Sequence, residues 1–205
     1  MYYAVKVGRV PGVYEDWASC SRQVTGFKGA IFKKFTNYEQ AVNFAGVPSK
    51  PLQPHPIDTV DLSDEDLCKI YVDGSYSDED RVYKYGYVIL CPRTKKEIKG
   101  CGAGYNVNYI NTRNVAGEIC GTVRGIKHAL ELGYKDIEIY HDFQGIASWA
   151  KGEWKPKSPI AIDYVKFIDS LEDKGVNITF IKVKAHTGDY YNELADTLAS
   201  QGGIK

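Results

Sequence analysis

Four prolines fall within residues 47–56 of this 205-residue chain. Proline lacks a backbone N–H and fixes φ, so such a run continues neither a helix nor the interior of a sheet. An acidic stretch extends the interruption to residue 66. The sequence therefore predicts two domains, at residues 1–46 and 68–205, joined by a linker at residues 47–67 that is semi-rigid at its proline end.

Apolar periodicity predicts the elements on either side of the linker. The small domain has an α+β pattern, with strands at 2–7 and 30–35, a helix at 17–24, and a second helix that a capping box at Thr36 and Glu39 opens and that ends near 45. In the large domain, strands are predicted near 69–75, 83–91, 95–104, 136–141 and 177–183, and helices near 114–132, 143–150, 159–174 and 190–200. Three consecutive strands followed by alternating helices and strands predict an α/β fold with a mixed sheet and helices on its faces.

Four acidic residues of the large domain lie in or beside apolar elements. Asp73 interrupts the first strand, Glu118 lies at the edge of the apolar stripe of a helix, Asp142 ends a strand and Asp196 lies in the last helix. Carboxylates in such places cost free energy unless a cation or a hydrogen bond compensates them. Oxygen ligands gathered from several elements suit Mg²⁺ or Mn²⁺, and two such ions can cleave a phosphodiester. The pattern predicts a metal-dependent nuclease centre.

Each of these residues has an alternative interpretation when it is taken alone. Glu118 could extend to solvent or pair with a basic residue of its own helix, and Asp73 could be a turn residue that precedes a glycine. Asp142 could lie on a solvated strand face, and Asp196 on a helix surface. His186, in a glycine-containing loop before the last helix, belongs to a residue type that is more often structural than catalytic.

The net charge of zero conceals an uneven distribution along the chain. Residues 1–50 carry seven Lys/Arg against three Asp/Glu (+4), residues 51–67 carry five acidic residues and no basic one (−5), and residues 68–205 carry nineteen basic against eighteen acidic (+1). With four acidic residues neutralised by metal, the large domain would stand at +5. This balance suits a polyanionic partner.

Composition favours an intracellular location. Apolar runs stay well short of the roughly 20 residues that a membrane-spanning helix needs, and the N-terminus begins as a strand instead of a signal peptide. We expect a cytoplasmic monomer that has no membrane partner. The five cysteines are odd in number and include no Cys-x-x-Cys pair, which favours reduced thiols over disulfides or a zinc site.

In order and context, the acidic residues resemble those of the catalytic domain of type 1 ribonuclease H. The similar segments are residues 71–75, 114–118, 140–144 and 186–196, which span most of the large domain. Short strands with an aspartate are common, so the resemblance depends on all four segments in this order. It implies a ribonuclease H-like mixed five-stranded sheet flanked by helices.

The resemblance also implies an activity, namely hydrolysis of the RNA strand of an RNA/DNA hybrid to give 3′-hydroxyl and 5′-phosphate ends. Asp73, Glu118, Asp142 and Asp196 would hold two Mg²⁺ ions, for which Mn²⁺ can substitute. His186 would assist turnover by proton transfer or by release of metal and product. The residues at the family's minor-groove positions, where 2′-hydroxyls are read, are Gly74, Ser75, Asn114 and Gln144. His55, His128 and His141 match no catalytic position and are expected to be structural.

Residues 1–46 resemble the hybrid-binding domain that precedes many type 1 ribonucleases H and that also occurs in viroplasmin-type proteins. Trp17 and Phe32 would stack on the DNA strand, with Lys33 and Lys34 near its phosphates and the backbone amides between Gly26 and Gly29 near RNA 2′-hydroxyls. Ordinary core packing is the alternative for the two aromatic rings. It is the preferred interpretation for Tyr3, Phe27 and Phe35.

The sequence departs from the family pattern at two places. Residues 149–157 pass quickly into the next helix, so the basic handle of some members is expected to be absent or vestigial. Val115 occupies a position where some members have a polar residue. Two other functions stay open on the sequence: a hybrid-binding protein without catalysis, and a nuclease that acts on DNA as integrases and transposases do.

Overall fold

The structure, a computed structural model, describes residues 2–14, 16–36, 38–46, 57, 60–184 and 189–202, without the side chains of residues 38 and 39. The proposed capping box, which needs Glu39, and most of the predicted linker lie outside the described residues. The chain divides into two units, Met1–Gln53 and Pro54–Lys205. The limits predicted for the two domains and the linker stay a prediction.

The first unit is a three-stranded antiparallel sheet with two helices. Its elements are β1 (Tyr2–Val7), β2 (Gly12–Tyr14), α1 (Trp17–Val24), β3 (Ile31–Phe35) and α2 (Tyr38–Ala45), with strand order β2-β1-β3. Ala4 packs against α2 and Val5 against α1. Successive residues of a strand point to opposite faces, so the two helices cover opposite faces of β1. The sequence did not predict β2, because three residues are too few to show a period.

The second unit contains a mixed sheet of five strands. Its elements are β4 (Leu67–Ser77), β5 (Val82–Cys91), β6 (Lys96–Gly104), a 3₁₀ turn (Ile110–Thr112), α3 (Asn114–Glu131), β7 (Asp136–His141), α4 (Gly145–Ala150), α5 (Pro159–Glu172), β8 (Asn177–Lys182) and α6 (Tyr190–Gln201). The strand order is β6-β5-β4-β7-β8. Strands β4, β5 and β6 are antiparallel neighbours, whereas β7 runs parallel to both β4 and β8. The predicted mixed five-stranded sheet flanked by helices is confirmed.

Helix α3 lies on one face of this sheet at unusually short range. A Cβ atom added to Gly117 would come within 2.0 Å of the Lys84 carbonyl oxygen, and one added to Gly74 would come within 2.1 Å of the Glu118 nitrogen. Real Cβ atoms are excluded at such distances, so only glycine allows the backbones of α3, β4 and β5 to touch. The contact brings the first turns of α3 directly beside the middle of β4.

Helix α6 approaches the opposite face in the same way. Gly86 of β5, the cross-strand partner of Asp73, leaves space for α6, because a Cβ there would lie 2.3 Å from the Ala195 carbonyl oxygen. The core on this face contains buried residues of both α6 and the sheet: Tyr71, Val88, Leu90, Tyr191 and Ala195. Ile57, Val60 and Leu62, from the segment assigned to the linker, pack against it.

None of the helices in the described ranges combines the length and the apolar character that crossing a membrane requires.

Candidate active site

Three of the predicted carboxylates meet beside β4 and β7, two neighbouring inner strands of the large sheet. Asp73, Glu118 and Asp142 each offer an oxygen atom, and these oxygens lie within 4.8 Å of one another. Strands β4 and β7 are parallel, with Tyr71 opposite Tyr140. Asp73 and Asp142 each follow one of these tyrosines by two residues, so they fall side by side on the same face. Glu118 comes from α3, which the contact at Gly74 places next to β4.

Glu118 is almost fully buried, with 2% of its surface exposed. The interpretation of this residue as a solvent-exposed helix glutamate is therefore wrong. Its Oε1 accepts a hydrogen bond of 3.1 Å from the Phe143 N–H. Burial and, after it, the charges of Asp142 and Asp73 raise the pKa of Glu118 to about 8, although the Phe143 N–H acts in the opposite direction.

Asp73 is affected in the same way. Burial first, and then the charges of Asp142 and Asp196, raise its pKa to about 7, while the Gly74 N–H, which donates to Asp73 Oδ1 at 2.6 Å, opposes the rise. Asp196 is not one of the three residues within 4.8 Å, but its side chain acts on Asp73 from α6. The acids thus converge from both faces of the sheet.

The donor set fits a divalent cation. All the converging ligand atoms are carboxylate oxygens, the hard donors that Mg²⁺ and Mn²⁺ prefer. Raised pKa values mean that the ionised carboxylates are destabilised by burial and mutual repulsion, and a bound cation would reverse both effects. Asp73, Glu118 and Asp142 are the residues placed to hold it, with Asp196 adjacent.

The proposed minor-groove residues lie close to the acids in the chain, but each makes different contacts. Gly74 is a contact point between β4 and α3. The Ser75 hydroxyl donates to the Ala199 carbonyl oxygen of α6 at 2.9 Å. Asn114 is exposed at the start of α3, and Gln144 immediately precedes α4. Their roles in binding stay predictions.

Two histidines need separate comment. His186 lies outside the described residues. His141 is fully buried, and its Nδ1 lies 3.0 Å from the Phe143 carbonyl oxygen, which helps to fix the turn that carries Asp142. This contact agrees with the structural role that the sequence analysis assigned to His141.

In the first unit, the predicted stacking residues are on the surface. Trp17 and Phe32 are 49% and 43% exposed, and their ring centroids lie 5.6 Å apart. Core packing is therefore the wrong interpretation for these two rings. Lys34 Nζ lies 5.5 Å from the ring centroid of Tyr3, which in turn contacts Trp17. Lys33 is exposed on the same strand as Lys34.

The loop glycines Gly26 and Gly29 have positive φ, at 72° and 82°, a conformation that glycine adopts without strain. Tyr3, Phe27 and Phe35 are half-buried.

Sequence reasoning missed an aromatic cleft next to the acids. Phe143, Trp149 and Trp154 form a cluster of rings whose centroids lie 5.6 to 6.5 Å apart. A cavity of about 490 Å³ opens on this cluster, and its lining also includes Val115, Lys155 and Lys157. Residues 151–158 are all described and form no helix, which agrees with the expectation that the basic handle is absent or vestigial. The signal available in the sequence was the pair of tryptophans five residues apart, beside two lysines.

The fold and the acid cluster define a nuclease of the ribonuclease H-like class. Residues 65–204 match the family model described as RNase H, and residues 1–45 match the model described as the ribonuclease H1 N-terminal domain. The chain belongs to the ribonuclease H family and is a ribonuclease H enzyme.

Named relatives agree with this assignment. The ribonuclease H of Schizosaccharomyces pombe is 25% identical over 258 residues, which cover 98% of this chain and 96% of that protein. The ribonuclease H of Saccharomyces cerevisiae is 52% identical over 48 residues, which cover 23% of this chain and 14% of the yeast protein.

Solved structures show the same fold. RNase H1 from Halobacterium salinarum superimposes with a TM-score of 0.54 at 20% identity, over 66% of this chain and 96% of that one. LC11-RNase H1, solved in complex with an RNA/DNA hybrid, has a TM-score of 0.50 at 16% identity, over 65% of this chain and 97% of that one.

Proposed function

We propose that this enzyme cleaves the RNA strand of RNA/DNA hybrids internally, with two divalent ions, and leaves 3′-hydroxyl and 5′-phosphate ends. The observation that carries the proposal is the convergence of Asp73, Glu118 and Asp142 within 4.8 Å beside β4 and β7. Family membership supports it, and so does the hybrid bound to LC11-RNase H1.

Backbone N–H groups fix the positions of two of these acids. The Phe143 N–H orients Glu118, and the Gly74 N–H orients Asp73. Two bound ions would supply an activated water nucleophile and stabilisation of the leaving 3′-oxygen. Asp73, Glu118, Asp142 and Asp196 would hold the ions, preferably Mg²⁺, with Mn²⁺ as a substitute.

His186 has a role in turnover that does not depend on metal ligation. We infer that it transfers a proton or assists the release of metal and product. Replacement by alanine should slow turnover and leave Mg²⁺ binding intact. Loss of Mg²⁺ binding in that variant, measured by calorimetry, would assign His186 to the ligand set instead.

Selectivity for a hybrid follows from contacts to the RNA 2′-hydroxyls across the minor groove. We infer that Gly74, Ser75, Asn114 and Gln144 make these contacts, although the Ser75 hydroxyl also donates to α6. The Ser75 hydroxyl can still accept a hydrogen bond while it donates.

The first unit adds affinity. Trp17 and Phe32 present exposed, adjacent rings for stacking on the DNA strand, and Lys33 and Lys34 lie on the strand that carries Phe32. The backbone amides between Gly26 and Gly29 would contact the RNA strand. Over 48 residues, this unit is 52% identical to a yeast ribonuclease H, which supports the assignment of the first unit to the ribonuclease H family.

A cleavage assay with a labelled hybrid tests the proposal. The enzyme should cut the RNA strand with Mg²⁺ and fail in the presence of a chelator, and end-mapping should show 3′-hydroxyl and 5′-phosphate termini. Duplex DNA should stay intact, and a single ribonucleotide in duplex DNA should be a poor substrate because it lacks successive 2′-hydroxyls. Binding without cleavage would favour a non-catalytic hybrid-binding protein, and cutting of duplex DNA would favour an integrase-like nuclease.

We also propose that the enzyme works as a cytoplasmic monomer. Sedimentation at assay concentrations and cell fractionation test these two statements, and a stable dimer or a membrane-bound fraction would contradict them.

A further inference from the structure

A short chain of hydrogen bonds ends at Gln144, one of the proposed minor-groove residues. Gln144 Nε2 lies 3.1 Å from Ser148 Oγ, and Ser148 Oγ lies 2.8 Å from Glu153 Oε2. Ser148 is buried in α4, with 1% of its surface exposed, whereas Glu153 is exposed. The backbone holds the far end in place, because the Trp154 N–H donates to the Ser148 carbonyl oxygen at 3.0 Å.

The chemistry of these three groups fixes the direction of the chain. The Glu153 carboxylate accepts hydrogen bonds, and the single Ser148 hydroxyl proton is donated to it. Ser148 Oγ then has only lone pairs to offer to Gln144. The Gln144 atom in contact with Ser148 must therefore be the donor nitrogen, because the amide oxygen in that place would set two acceptors against each other. The amide oxygen is left on the opposite branch of the planar amide.

We propose that Ser148 and Glu153 are positioning residues that hold the Gln144 amide oxygen toward the minor groove, where it accepts a hydrogen bond from an RNA 2′-hydroxyl. The inference rests on the proposed function, since it concerns how the same site distinguishes RNA. A 2′-hydroxyl both donates and accepts, but an amide held in this orientation uses only its donor capacity. The three hydrogen-bonded side chains thus favour a substrate that can donate a hydrogen bond at this one nucleotide.

A 2′-fluoro nucleotide separates the donor capacity of a 2′-hydroxyl from its acceptor capacity. Fluorine preserves the sugar conformation of RNA and cannot donate a hydrogen bond. At the nucleotide that Gln144 contacts, a single 2′-fluoro substitution should weaken wild-type binding roughly three- to tenfold, the range of one neutral hydrogen bond. With Glu153→Gln, the new amide can donate to Ser148, which then donates to Gln144. The Gln144 amide turns over, its nitrogen faces the substrate, and the penalty of the fluorine should shrink to less than about twofold.

The experiment moves one 2′-fluoro nucleotide across the RNA strand and measures single-turnover cleavage at saturating and at limiting enzyme. One position should be sensitive in the wild type and insensitive in Glu153→Gln and in Ser148→Ala, with the change confined to the concentration dependence. Gln144→Ala should lose the sensitivity at the same position. Glu172→Gln, which also removes one exposed carboxylate, is the matched control and should behave as the wild type.

An unchanged fluorine profile in Glu153→Gln and Ser148→Ala would overturn the proposal, and so would a sensitive position that persists in Gln144→Ala. Failure of the proposed function has a different result, because the wild type would then not cleave the all-ribose hybrid. Glu153 is on the surface, so its replacement tests the proposal without disturbing the core.

Discussion

Replacement of Glu118 by glutamine should stabilise the metal-free enzyme at alkaline pH while it removes activity. Glu118 is held among acids in a buried position, and these surroundings raise its pKa from 4.5 to about 8. Glutamine has nearly the same shape and keeps an oxygen for the Phe143 N–H. Its amide nitrogen would donate to the neighbouring carboxylates, so repulsion becomes attraction.

The size of the effect follows from the two pKa values. A difference between 4.5 and about 8 corresponds to roughly 5 kcal/mol that favours the protonated side chain in the folded state. Because the folded-state pKa is the higher one, the wild type carries no penalty below about pH 4.5, a growing penalty from there to about pH 8, and the full penalty above it. Part of this penalty belongs to Asp73 and Asp142, because the repulsion acts on all three acids. We therefore expect a gain of about 2 to 5 kcal/mol at pH 8.5 and below about 1 kcal/mol at pH 5.

Urea unfolding in the presence of a chelator measures this gain. Trp149 and Trp154 report on the second unit by fluorescence, and a Trp17→Phe background removes the signal of the first unit. Glu172→Gln is the control for loss of one negative charge. Addition of Mg²⁺ at pH 8.5 should stabilise the wild type more than Glu118→Gln, because the variant has lost a charged ligand. A variant no more stable than the wild type at pH 8.5, or a gain of equal size at pH 5, would refute the electrostatic reasoning.

Three further predictions concern the other parts of the molecule. Asp142→Asn should reduce hydrolysis by several orders of magnitude while hybrid binding persists in a gel-shift assay, and near-normal cleavage would remove Asp142 from the metal site. Gly117→Ala should destabilise the second unit by about 3 kcal/mol in thermal unfolding, against about 1 kcal/mol for Gly121→Ala, because the added methyl would meet backbone at 2.0 Å instead of 3.1 Å; equal effects would contradict the close approach of α3. Joint replacement of Trp17 and Lys33 by alanine should weaken hybrid binding at least about tenfold and lower the salt slope by about one, and an unchanged slope would assign the first unit another partner.

The order of elements was predictable because each has a clear local pattern. Alternation and helical spacing predicted the strands and helices of both units to within a few residues, apart from the three-residue strand β2, and three consecutive strands before the helices indicated a mixed sheet. The distance between helix and sheet was not predictable. Gly117 reads in the sequence as a weak point of α3, whereas in the structure it is the contact that lets α3 lie on β5.

The candidate site was predictable where charge conflicts with burial. Asp73 and Glu118 stand in apolar elements, and a carboxylate in such a place implies a compensating partner. Phe143 and Trp154 have no comparable signal, because an aromatic residue in a sequence is most simply a core residue. The sequence signal for Glu153 is weaker still. An exposed glutamate after a short helix is ordinary, and only the contact with Ser148 gives it significance.

The geometry of the acid cluster depends on residues without side chains. Asp73 is the central acid, and carboxylates reach it from α3 on one face of the sheet and from α6 on the other. Gly74 follows Asp73 in the chain and allows α3 to approach β4. Gly86 is the cross-strand partner of Asp73 on β5 and allows α6 to approach. Each helix would be displaced by a single methyl group at its glycine, and the carboxylate that it carries would move with it. Because the energy of a metal site depends on ligand distances to within a few tenths of an ångström, these two glycines should matter to metal affinity more than their contribution to the hydrophobic core suggests.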